Sequence, residues 1–142
     1  MNGTKKGEDH TIPGLMYRYV EKDDFFRIRE FFTGDESTGD RVYLRSRPEE
    51  REGYYWIVPL RMIHNYADIH KVHIQVQVPN EIDLYTKTFT INDLDKNKRY
   101  LWIGLTGEDW PGARRKPIAW SLRLEDREDQ EIAQHKSFLW NR

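Results

Sequence analysis

Cysteine is missing from this 142-residue chain. That removes disulfide staples, thiolate nucleophiles, iron–sulfur ligation and cysteine-ligated zinc. A surplus of either charge is missing too: 23 Lys and Arg stand against 24 Asp and Glu, a formal net charge of −1. Such a balance leaves no basic footprint for nucleic acid and no polybasic membrane anchor. No apolar run approaches the roughly 20 residues of a membrane-spanning helix. Met1 to His10 is polar and has no apolar stretch, so it does not read as a secretory signal as it stands. A tether left behind by a removed signal would place the protein outside the cytoplasm, and that location is preferred here to a cytoplasmic one.

Catalytic signatures are equally scarce. No serine stands in a nucleophile-elbow context, no glycine-rich phosphate loop follows a strand, and HExxH does not occur. Carboxylates abound, but nothing in their spacing marks a pair flanking a cleft. No catalytic residue and no cofactor is therefore assigned, and the chain reads as non-enzymatic. Internal repeats and low-complexity tracts are absent as well.

What the chain does have is rings: five Trp, eight Tyr and six Phe. Their large buried areas let a 37% hydrophobic fraction build a core. After a polar tail over residues 1–14, a single domain is expected over residues 15–142, patterned mainly with period two. Within Lys71 to Val78, the side chains of Val72, Ile74, Val76 and Val78 share one face, and His73, Gln75 and Gln77 the other. Pro79-Asn80 breaks this strand, and Ile82 to Ile91 returns with Thr86, Thr88 and Thr90 opposite Tyr85, Phe89 and Ile91. The two runs read as a hairpin. Ile118 to Leu124 alternates in the same way, turns at Glu125 to Gln130, and is followed by Ile132 to Trp140. There Ala133 and Leu139 fall out of phase with Ile132, Phe138 and Trp140, as a bulge would make them.

Tyr54 to Leu60 and Tyr100 to Leu105 are apolar on both faces and are placed centrally, although Pro59 argues for an edge or a strand end. Arg41 to Arg45 is a short strand with Val42 and Leu44 inward, and Leu15 to Val20 a further edge strand. Asp23 to Phe32 suits either a strand or a short helix capped by Asp23 or Asp24, and the strand is preferred because strands surround it. Seven or eight short strands define an all-β fold, a sandwich of two antiparallel sheets in an immunoglobulin- or fibronectin-like arrangement, with a small β-barrel as the alternative.

Three features compete for function. Of the histidines His10, His64, His70, His73 and His135, only His73 sits cleanly on a polar face, and solvated surface positions explain the set better than zinc ligation. The loop TGDESTGD carries Asp35, Glu36 and Asp40, hard oxygen ligands that suit calcium but equally suit any exposed turn. The loop Thr106 to Lys116 sets Trp110 beside Pro111-Gly112, with Glu108 and Asp109 before it and Arg114 and Arg115 after it. These five are the candidate binding residues, since loops at sandwich ends carry binding surfaces and Trp and Arg dominate interfaces. Against this, Trp110 could fold back and plug the open end of the sandwich, the simpler fate for so much apolar area.

The function expected is a non-catalytic module that binds another protein through end loops or an exposed edge strand. The alternative is a carbohydrate-binding module, which requires Tyr54, Trp56, Tyr85, Tyr100 and Trp102 to form an outward platform. A small enzyme with an unrecognised site is the third possibility.

Overall fold

The computed structural model describes residues 12–26, 30 and 34–140. Eight strands form in chain order: β1 (Met16–Val20), β2 (Arg41–Arg45), β3 (Gly53–Pro59), β4 (Lys71–Gln77), β5 (Tyr85–Thr90), β6 (Tyr100–Thr106), β7 (Ala119–Glu125) and β8 (Glu131–Lys136). They make two four-stranded sheets, ordered β1-β3-β6-β2 and β5-β4-β7-β8, packed face to face as a β-sandwich.

Alternation decides which side chains enter the core. Val72, Ile74 and Val76 of β4 and Trp120, Leu122 and Leu124 of β7 pack against Trp56 and Val58 of β3 and Leu101, Ile103 and Leu105 of β6. The expected β4–β5 and β7–β8 hairpins form, with Val72 opposite Phe89 and Leu124 opposite Ala133. The phase change at the end of the chain has two causes. A register shift lies between Leu124 and Glu125, which turns Ala133 inward, and β8 stops at Lys136, so Phe138 and Leu139 belong to a turn.

β3 and β6 occupy the centre of their sheet, as their two-sided apolarity implies. Pro59 is compatible with this because it is the last residue of β3, beyond which the ladder needs no donor from it. One pairing departs from the antiparallel expectation: β2 runs parallel to β6. The Asp40 carbonyl explains it, accepting the amides of Arg99 at 2.7 Å and Tyr100 at 3.2 Å, so both strands begin at one point. At the far end, Thr106 is tied to the Arg47 amide and carbonyl through its hydroxyl, both at 3.0 Å.

The outer face of this sheet has its own cover, which corrects the strand expected over Asp23 to Phe32. Lys22–Phe25 is a 3-10 turn, Phe26 leaves it in extended backbone and Glu30 is helical; residues 27–29 and 31–33 lie outside the described residues. The turn presses Phe25 against Tyr55 at 5.0 Å, Tyr43 at 5.4 Å and Trp102 at 5.9 Å, ring centre to ring centre. A strand would have left the apolar outer sides of β3 and β6 in water. Arg45 completes the cover, its guanidinium stacked on Tyr43 at 4.3 Å and on Phe25 at 4.8 Å.

Tyr55 is wedged between Phe25 and the glycine at position 104, which makes glycine obligatory there. A Cβ on Gly104 would come within 2.5 Å of the Tyr55 ring, and one on Gly53 within 2.1 Å of the Leu105 carbonyl. Gly104→Ala is expected to lower stability by about 1–3 kcal/mol through overpacking. Gly53→Ala is expected to lose more, because backbone cannot swing aside as a ring can. Urea unfolding of both variants measures this.

Candidate functional site

The loop after β6 divides its five candidate residues among three places. Trp110 turns inward and is 5% exposed, its ring 4.8 Å from Tyr54 and 6.5 Å from Trp56. It plugs the sandwich end. Asp109 and Glu108 face Arg47, at 3.3 Å and 3.8 Å, and Asp109 also accepts the Tyr85 hydroxyl at 3.4 Å. Arg114 and Arg115 run to the opposite side, where with Lys116 they enter a groove of about 750 Å³.

This groove lies between the edge strand β1, the loop leading into β7, and the turn after β8. Among the described residues four cations line it, Arg18, Arg114, Arg115 and Lys116, and no Asp or Glu does. Its apolar lining includes Tyr17, Ile118, Phe138 and Leu139, all exposed, with Phe138 74% exposed. Trp120 is buried beneath, its ring 5.2 Å from that of Tyr17. The turn is held by reciprocal ties: the Ser137 amide donates to the Trp120 carbonyl and the Trp120 amide to the Ser137 hydroxyl, each at 2.9 Å. Phe138 and Leu139 therefore project at a fixed place. Arg18, Tyr17, Phe138 and Leu139 were not among the sequence candidates. The signals were there, in an arginine between two tyrosines on an edge strand and in two apolar residues past the last alternating position.

Tyr19 anchors β1 beside the groove. Its hydroxyl donates to Glu52 at 2.5 Å, and the Lys22 amide donates to the other oxygen of the same carboxylate at 3.0 Å. The Tyr19 bond, joined by that amide, holds the Glu52 carboxyl below its usual range. Burial, with the neighbouring carboxylate, pushes the Tyr19 phenol up.

The acidic trio does not converge. Both oxygens of Glu36 are engaged by Arg45, at 2.7 Å and 2.9 Å, and the Asp40 carbonyl is engaged by the start of β6. Among the described residues no group of three His, Asp or Glu side chains is gathered closely enough to hold a metal. Arg45 also donates to the Tyr55 hydroxyl at 2.7 Å, and Tyr55 donates to the Arg51 carbonyl at 2.5 Å. Burial pushes the Tyr55 phenol up to about 12. Of the three acids, Glu36 closes the outer cover through Arg45.

The five-ring sugar platform does not form either: Tyr54, Trp56 and Trp102 are buried, while Tyr85 is half-buried and Tyr100 exposed. A different polar surface exists on the outer face of the second sheet. Two cross-strand rows, Thr86-Gln75-Ser121-Lys136 and Thr88-His73-Arg123-Gln134, run across all four strands. They border a trough of about 370 Å³ that Trp140 closes at one side. At its margin His73 Nε2 lies 2.8 Å from Glu125 and Nδ1 2.9 Å from the Thr88 hydroxyl, while Arg123 pairs with the other Glu125 oxygen at 2.9 Å. An ionised carboxylate can only accept, so Glu125 accepts from His73 Nε2. With Glu125 neutralised by Arg123, this chain of contacts ties three strands together. His70 Nδ1 lies 2.8 Å from the Ile91 carbonyl, His135 lies beside Trp120 with ring centres 5.5 Å apart, and His10 is outside the described residues.

The class these features define is a two-sheet β-sandwich with a cationic, apolar groove along one edge. No protein-family model matches the chain, and no curated protein or solved structure is significantly similar to it.

The Tyr19–Glu52 bond yields a pH-dependent expectation. A carboxylate held below its unfolded value adds stability that is fully present above that value and is lost as pH falls through the lowered one. Tyr19→Phe should therefore lower stability near neutral pH by about 1 kcal/mol, the hydrogen-bond range discounted for solvent access. The difference from wild type should shrink on acidification below about pH 4. Urea titrations at pH 7 and pH 3 test both parts.

Proposed function

We propose that this chain is a non-catalytic binding module that holds another protein in the groove between β1, the loop before β7 and the turn after β8. The observation that supports it is the composition of that groove. Exposed apolar side chains gather there with Arg114 and Arg115, two of the five residues singled out in the sequence. Contiguous apolar surface with arginine is what interfaces use, whereas scattered exposed hydrophobics need no explanation.

Reversing the two loop charges in Arg114→Glu/Arg115→Glu should abolish capture of a partner that wild-type bait retains, with the melting temperature unchanged because both side chains are exposed. Arg61→Glu/Lys96→Glu makes the same charge change at exposed positions outside the groove and should leave capture intact. Equal loss in both variants would reduce the effect to net charge.

One observation favours carbohydrate binding as a second reading. The trough on the second sheet offers amide and hydroxyl groups from Gln75, Ser121, Gln134 and Thr86 beside the Trp140 ring, the pairing of hydrogen bonds and an apolar face that a sugar requires. On a glycan array, a ligand bound by wild type should be lost in Trp140→Ala and Gln75→Ala. No bound glycan, or binding indifferent to both changes, would retire this reading.

A further inference from the structure

Side chains of an extended strand point alternately to its two faces, so a surface feature that touches every second residue lies over a face. The trough on the second sheet is of that kind, touching His73 and Gln75 of β4, Ser121 and Arg123 of β7, and Gln134 and Lys136 of β8. The groove beside β1 is not: it touches Tyr17, Arg18 and Tyr19 in succession. Tyr17 reaches Trp120 of the facing sheet, whereas Arg18 sits over Trp102 on the outer face, 5.7 Å from the ring. A cavity that meets side chains from both faces of a strand runs along its edge, where the backbone is presented. Among the described residues β1 is an edge strand, pairing with β3 alone, and Met16, Tyr17 and Arg18 are exposed.

The charge of that edge is one-signed. Among the described residues Arg18, Arg114, Arg115 and Lys116 line it without a carboxylate, in a chain whose overall formal charge is −1. Among the described residues none of the four forms an ion pair. A lone cation on an edge strand is an ordinary guard against unwanted pairing. Four from two separate segments, aligned beside exposed Ile118 and Phe138, exceed that need and match an occupant with carboxylates and apolar groups in alternation.

We propose, resting on the groove as the site of protein binding, that β1 takes up an extended acidic segment of the partner as a fifth strand of its sheet. Main-chain bonds to β1 supply the affinity. Arg18 on one face, and Arg114, Arg115 and Lys116 along the loop, meet alternating Asp or Glu side chains of the segment. Tyr17, Ile118 and Phe138 receive the apolar residues between them. Strand addition separates backbone recognition from side-chain recognition in this way.

The test begins with selection of a random eight-residue display library on the wild-type protein. Enrichment of acidic sequences with alternating apolar residues is expected, and enrichment of basic or uncharged ones would overturn the proposal. The best peptide is then compared with a version N-methylated at alternate amides, which keeps every side chain and leaves the protein untouched. Loss of two main-chain bonds should weaken binding by roughly tenfold or more, and unmethylated peptide should slow amide exchange along residues 16–20. Equal affinity of the methylated peptide would leave charge attraction alone and refute strand addition. Vesicles containing phosphatidylserine serve as the other arm: binding to them that Arg114→Glu/Arg115→Glu abolishes, with no peptide selected, would assign the groove to anionic lipid instead. A partner captured through Arg114 and Arg115 whose binding leaves exchange at residues 16–20 unchanged would sink the edge inference while the module reading stands. Capture indifferent to those two arginines would sink both.

Discussion

β3 and β6 are apolar on both faces, and that two-sided burial is the constraint from which the rest of the structure follows. One face is satisfied by the second sheet, where Trp56 and Ile103 meet Val72, Ile74 and Leu122. The other would lie in water, so a second and smaller core must be assembled from outside the sandwich, with Phe25 laid on Tyr55 and Trp102. Polar chemistry then has to close that outer layer. Arg45 is 7% exposed and Glu36 16%, and both are accommodated because the pair is bidentate and Tyr55 takes the remaining Arg45 donor on that side. Glu36, one of the three loop acids weighed as metal ligands, belongs to this closure.

The same arrangement leaves β1 where it is. Its side chains bridge two environments, Tyr17 toward the second sheet and Arg18 toward the outer layer. Val20 is buried in the outer core and Tyr19 is clamped to Glu52, so the far end of the strand is held while its beginning stays exposed. At this end Trp110 is buried in the core against Tyr54 and Trp56 of β3, and the loop after it passes beside β1. Placing Trp110 inside is thus what delivers Arg114 and Arg115 to the groove. A buried aromatic and an exposed cationic pair are consequences of one loop path.

Elements whose burial is local and periodic were legible in the sequence. β4 shows this best: three β-branched residues at every second position, with Val78 just beyond, specify a half-buried strand, and the strand forms with its polar side outward. The turn at Lys22–Phe25 was not legible, because Phe25, Ile28 and Phe32 can be read with either period, and only the bare outer face of β3 and β6 chooses between them. The parallel pairing of β2 escaped as well, since it depends on one carbonyl, that of Asp40, meeting two amides almost sixty residues further on.

By itself the sequence determined the fold class, the pairing of the two hairpins and the central places of β3 and β6, because each follows from the alternation of neighbouring side chains. Tertiary structure alone assembled the candidate groove. Arg18, Arg114 and Phe138 are far apart along the chain, and within each segment they look like an ordinary edge charge, an ordinary loop charge and a stray aromatic. Their meaning comes from the space that separates them once two sheets have packed, and that space is set by Trp110, Trp120 and Tyr54, which fill the end of the core.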